Sequence, residues 1–197
     1  MVDVSVSILL LRNLTNSIYP LPEKDWISFS SIWKPFEAKR KETITASGQV
    51  EKFLYFVANG VQRVFYQGDE QHEATLVFTY APSFGGVLDS FLLQLPSRYF
   101  YETLTPSTFL RTTSEEVQQL MSESQAIQRL IQIGINHSLA GLMERMTELQ
   151  CFSSEEKFKK LMTRSPHILQ LVPHKYLANY IGIDATNFSK LINSVKI

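Results

Sequence analysis

The spacing of apolar residues changes near Phe36, and that change most limits what this chain can become. Over residues 3–32 apolar side chains recur at three and four, as on a helix. The segment reads as two helices parted at Tyr19-Pro20-Leu21-Pro22, with Trp26, Phe29 and Trp33 on a core face. After Phe36 the period is near two. KETIT alternates, FLYFVANG runs to Gly60, VQRVFYQ follows, Gly68-Asp69 marks a hairpin tip, and EATLVFTY returns. RYFYETLT and TFLRT read as further short strands. Short strands with turns at Gly48, Gly60 and Gly68 predict an all-β sandwich or barrel. Alternation would put Phe53, Tyr55, Val57, Val64, Tyr66, Leu76 and Phe78 in its core, subject to register.

Between Tyr80 and Arg98 the alternation fails. APSFGGVLDSFLLQLPSR is too apolar and too long for an idle surface loop. Gly85 and Gly86 let backbone N–H groups approach a bound anion, and VLDSFLLQ reads as a short helix starting there. Arg98, at the start of the next strand, is the candidate charge partner. A packed loop with a structural arginine is the alternative for the same residues.

Thr113 and Glu116 form a capping-box pair that opens the next helical segment. Leu120, Ile127, Leu130, Leu142, Met146 and Leu149 then recur at helical spacing, while Ile133, Ala140 and Met143 are apolar on another side. A helix apolar on two faces has two things to bury against. One is its own β domain; the other is the same helix of a second subunit. Gly134, Ser138 and Gly141 are small enough to let two helices cross closely. A single helix buried on its own domain is the alternative.

Residues 172–197 read as a helix-turn-helix. Pro173 suits a first turn, Leu177, Ala178 and Ile181 share a face, Gly182 ends the helix, and Asp184 caps the next. Phe188, Leu191, Ile192 and Val195 form the second apolar face. The opposite face shows Thr186, Asn187, Ser189, Lys190, Asn193 and Lys196, side chains suited to a DNA groove. The chain is formally neutral, yet from Cys151 onward seven basic residues face three acidic ones, leaving +4 there and −4 on residues 1–150. A basic module on an acidic body fits a DNA contact at one end. An ordinary helical hairpin is the alternative.

Other classes have little support. No run of eighteen apolar residues occurs, and the N-terminal SILLL lacks the pattern of a secretion signal. Cys151 is the only cysteine, which excludes an internal disulfide and any four-cysteine metal site within one chain, and fits a reducing cytoplasm. Four scattered histidines offer no catalytic constellation and no metal-ligand spacing, so no catalytic or metal residue is assigned.

Together these pieces resemble the Crp/Fnr family of bacterial transcription regulators, in a shorter branch common in Bacteroidetes-type bacteria. The likeness is clearest in KETITASGQVEKFLYFVANGVQRVFY, in FGGVLDSFLLQLPSRY and in EEKFKKLMTRSPHILQLVPHKYLANYIGIDATNFSKL. It implies an α+β fold: a cyclic-nucleotide-binding-like jelly-roll barrel over 1–115, a dimerisation helix over 116–150, and a helix-turn-helix domain over 151–197. It also implies a cytoplasmic homodimer on near-palindromic double-stranded DNA, with RNA polymerase as a further partner. Lys175, Thr186, Asn187, Lys190, Asn193 and Lys196 are the implied DNA contacts. Gly85, Gly86, Asp89, Ser97 and Arg98 are the implied contacts to cyclic AMP or another small anionic ligand. Two departures stand out. Nucleotide-binding members carry a ribose-binding glutamate where this chain has Gly86, with Asp89 three residues on as a substitute. The base-reading positions are Ala185, Thr186 and Lys190, without the arginine that pairs with guanine, so weaker or A·T-leaning specificity is expected. The rival expectation is a ligand sensor on the same fold without DNA binding.

Overall fold

The computed structural model describes residues 3–68 and 72–195. Two helices open it, α1 (Val4–Ile18) and α2 (Glu23–Ser31). Asp3 caps α1 by accepting from the N–H groups of Ser5 and Val6 at 3.0 and 3.2 Å. The strands that follow are β1 (Lys34–Ala38), β2 (Thr43–Thr45), β3 (Phe53–Asn59), β4 (Val61–Gln67), β5 (Glu73–Tyr80), β6 (Ser83–Gly85), β7 (Phe100–Thr103) and β8 (Ser107–Thr113). A short helix, α3 (Leu88–Leu93), lies between β6 and β7, as its sequence predicts. All pairings are antiparallel, in two sheets ordered β1-β8-β3-β6 and β2-β7-β4-β5. The expected tip at Gly68-Asp69 is closed by the Gly68 N–H donating to the His72 carbonyl at 2.9 Å; Asp69 itself lies outside the described residues.

The two faces of β3 explain why its sequence is nearly all apolar. Tyr55 and Val57 point between the sheets, where they meet Val64, Tyr101 and Phe109. Leu54 and Phe56 point outward against Leu11, Trp26, Phe29 and Trp33 of the N-terminal segment. A strand covered on both faces has no polar side to show. Register changes part of the expected core. A bulge in the β4–β5 pairing follows Val64↔Val77, with Phe65 next opposite Thr75, so Leu76 is the extra residue. Tyr66 is exposed at the strand end, and Phe78 packs outside the barrel against Tyr180, with ring centroids 5.1 Å apart.

The helical run after β8 is two helices, α4 (Ser114–Glu123) and α5 (Gln125–Cys151). Ser124 is extended between them, and its hydroxyl caps α5 by accepting from the Ile127 N–H at 3.2 Å. Four helices follow: α6 (Ser154–Arg164), α7 (Ile168–Leu171), α8 (His174–Tyr180) and α9 (Ala185–Ser194). Phe158, Leu161, Met162, Leu177, Ile181 and Phe188 form their core, which also takes in Val61 and Leu104 of the barrel.

The Thr113–Glu116 capping box is complete. The Glu116 N–H donates to the Thr113 hydroxyl at 3.1 Å, and the Thr113 N–H donates to the Glu116 carboxylate at 3.0 Å. That backbone bond, with further help from Lys34 and the Thr113 and Thr112 hydroxyls, lowers the Glu116 pKa to about 2. A carboxylate depressed in the folded state adds stability above its unfolded pKa and loses it as pH falls through the folded value. Glu116→Gln should therefore cost about 0.5–1 kcal/mol at pH 7. The difference should shrink steadily from pH 5 towards pH 2. Urea unfolding of both proteins across that range reads it; a difference that does not depend on pH would assign the effect to shape instead.

Candidate nucleic-acid interface and barrel cleft

α8 and α9 meet at a tight turn. Gly182 has φ +67°, a left-handed conformation that a side chain would strain. Asp184 then accepts from the Asn187 N–H at 2.8 Å and starts α9. Leu177, Ala178, Ile181 and Phe188 are almost fully buried, so the inner faces agree with the spacing in the sequence. On the outer face of α9, Thr186, Ser189, Lys190 and Asn193 are exposed together. Asn187 is only half exposed, because its side-chain amide turns inward to donate to the Ser154 hydroxyl at 3.3 Å. Lys175 is exposed on α8 with its ammonium 4.6 Å from the centre of the Tyr176 ring. Lys196 lies outside the described residues.

Three contacts fix where α9 sits relative to the barrel. β5 is an edge strand, and the Asn179 side chain pairs with that free edge. The Thr75 N–H donates to its Oδ1 at 2.5 Å, and its Nδ2 donates to the Glu73 carbonyl at 2.6 Å. Arg63, almost fully buried, bonds Glu73 and Glu102 and lies between the rings of Phe65 and Tyr176, 3.9 and 4.0 Å from their centres. At the base of α5, Arg145 donates to Glu148 at 3.0 Å and to the Tyr180 carbonyl, and Arg164 closes on Glu148 from α6.

α5 is held at both ends and bare between them. Ile127 and Leu130 pack on the N-terminal core, and Arg145 and Glu148 are buried near the C-terminal helices. Every residue from 136 to 144 is exposed, including Leu139, Leu142 and Met143, and Met146 follows. A Cβ placed at Gly134 or Gly141 would meet open space.

The glycine turn is already occupied from within. Gly85 is required there, since a Cβ would collide with the Tyr101 hydroxyl. The carboxylate of Glu51, a buried residue, accepts from the Val87 N–H at 3.3 Å, the Phe53 N–H at 3.2 Å and the Thr45 hydroxyl at 2.7 Å. Burial raises its pKa, and these bonds partly oppose the rise. Of the five candidate ligand residues, Gly85 lies beside Tyr101 and Gly86 beside Glu51 at this turn. Ser97 is buried and bonded to Tyr99, while Asp89 and Arg98 are exposed. Beside the turn a cleft of about 490 Å³ opens at the barrel mouth. Its walls include Phe36, Phe53, Glu51, Lys52 and Arg111, and none of the five.

No family model and no curated protein matches the sequence. Solved structures do match. FixK2 from Bradyrhizobium japonicum aligns over 82% of this chain and 83% of its own, with TM-score 0.73 and 12% identity. Thermus thermophilus catabolite activator protein aligns over 88% and 83%, with TM-score 0.56 and 19% identity. A chain from Eubacterium rectale, described as a transcriptional regulator of the Crp/Fnr family, aligns over 88% and 82%, with TM-score 0.67 and 13% identity. The fold is the one these structures share.

Within this fold, the sequence pattern passed over three side chains: Glu51, Arg111 and Asn179. A parity signal existed for Arg111. Phe109 points between the sheets and Leu110 outward, so position 111 of the same strand points in again. Glu51 and Asn179 carried no such signal, since Glu51 reaches Val87 and Asn179 reaches Glu73 and Thr75, all far along the chain. Among the described residues no helix is long and apolar enough to cross a membrane, and no three His, Cys, Asp or Glu side chains are grouped to hold a metal ion.

Proposed function

We propose that this chain is a DNA-binding transcription regulator of the Crp/Fnr type that works as a cytoplasmic homodimer. The observation that carries the proposal is the polar face of α9. Thr186, Ser189, Lys190 and Asn193 are exposed side by side on a helix whose other face is locked into the C-terminal core. Residues 151–197 form the DNA-binding domain, 116–150 the dimer segment and 1–115 the barrel domain. Two α9 helices enter successive major grooves about 34 Å apart on a near-palindromic site. Lys190, Lys175 and Lys196 meet phosphates; Thr186 and Asn193 face base edges or sugars, while Asn187, bonded to Ser154, steadies α9 from within. RNA polymerase is the downstream partner.

The bare stretch of α5 supports the dimer. Its apolar side chains and two glycines suit close contact with the same helix of a second copy. A ligand that favours one orientation of α5 shifts the population of DNA-competent dimers.

The test is selection from a random duplex pool at low salt, followed by Lys190→Glu. The expected result is enrichment of an inverted-repeat sequence. The substitution should then weaken binding at least about tenfold and flatten the salt dependence. If no sequence is enriched while the barrel binds a small molecule, the chain is a sensor without DNA function.

A further inference from the structure

The barrel mouth holds a cation that no carboxylate among the described residues pairs with. Arg111 points inward from β8, and its guanidinium lies 4.2 and 4.3 Å from the ring centres of Phe36 and Phe53. The two rings occupy its flat faces, but they do not use its five N–H donors. The Tyr55 hydroxyl bonds to it, and among the described residues no carboxylate forms an ion pair with it. The acids on the cleft wall are engaged elsewhere. Glu42 accepts from the Lys39 N–H at 2.7 Å, and Glu51 is held by Thr45, Phe53 and Val87. Lys52 stands exposed on the same rim, again without an acid paired to it among the described residues.

We propose that this cleft binds a small oxyanion-bearing molecule, a carboxylate or a phosphate ester, with Arg111 as its anchor and Lys52 as a second charge at the rim. The anion site of the barrel is thereby displaced from the glycine turn, where the Val87 N–H already serves Glu51. A guanidinium clamped between two rings is pre-oriented, so little side-chain freedom is lost when an oxyanion docks on its planar fork. The volume of about 490 Å³ lies within the range of metabolite pockets. The site rests on the barrel alone. Failure of DNA binding would leave it standing, and its own failure would leave the DNA-binding proposal standing.

Calorimetric titration of the full chain with inorganic phosphate, sodium benzoate and cyclic AMP tests it. At least one of the three should bind in a salt-sensitive way. Arg111→Gln should weaken that binding by about tenfold or more, and Lys52→Gln by a few-fold. Arg98→Ala should leave it unchanged. Lys52 is exposed, so its variant keeps the test valid if Arg111→Gln does not fold. Three results would overturn the proposal: no heat with any probe at millimolar concentration, binding untouched by both cleft substitutions, or binding lost in Arg98→Ala and retained in Arg111→Gln. The last would return the ligand to the glycine turn.

Discussion

Replacing Glu148 with alanine is expected to cost about 3–5 kcal/mol of stability, because it leaves a charge buried without its partner. Glu148 is 2% exposed and accepts from Arg145 at 3.0 Å and from Arg164. Among the described residues, Arg145, at 7% exposure, would keep only the Tyr180 carbonyl and ring. Those two arginines and one glutamate join the end of α5 to α6 and α8. Loss of the glutamate should therefore loosen the C-terminal helices before the barrel. Urea unfolding gives the magnitude, and amide hydrogen exchange shows where protection is lost first. The double variant Glu148→Leu with Arg145→Met should recover most of the loss, since a buried pair exchanged for apolar side chains is often neutral. A loss under about 1 kcal/mol in the single variant would show that Arg145 finds water or another acid, and would overturn this account.

The other large effect concerns assembly. Leu142→Glu combined with Met146→Glu should convert a dimer to a monomer and lower DNA affinity by about 100-fold, because two linked half-site contacts become one. Both side chains are about half exposed in the single chain, at 49% and 53%, so the substitutions leave the monomer core intact. In a symmetric pair of α5 helices they would bring like charges together. Sedimentation equilibrium reads the mass, and a gel shift reads the affinity. A double variant that remains dimeric would move the interface away from this stretch of α5.

The accuracy of the sequence reading followed the range of each interaction. The capping box at Thr113–Glu116, the Asp184 cap and the Gly182 turn all appear as their local sequence implies. Each closes within three or four residues, so the partners are adjacent in the text. The break at Ser124 was harder to read, because apolar spacing runs through it and only the cap on Ile127 marks it. The candidate site divided in the same way. The exposed row of Thr186, Ser189, Lys190 and Asn193 follows from helical period alone. The ligand set at 85–98 depends on long-range placement: the structure puts Gly85 beside Tyr101 and Gly86 beside Glu51, and leaves Asp89 and Arg98 exposed.

By itself the sequence determined the α+β layout, the capped starts of α4 and α9, and the two faces of α8 and α9. Propensity, capping and period act within a turn or a strand, and they need no knowledge of the rest of the chain. Only the tertiary structure decided what fills the glycine turn, which cation faces the cleft, and what anchors α8. Glu51 reaches Val87 across thirty-six positions, and Asn179 reaches Thr75 across more than a hundred. Arg111 acquires its role between Phe36 and Phe53 only once β1, β8 and β3 lie side by side. Contacts closed over such distances depend on sheet order and register, and a one-residue shift would turn each side chain to the opposite face.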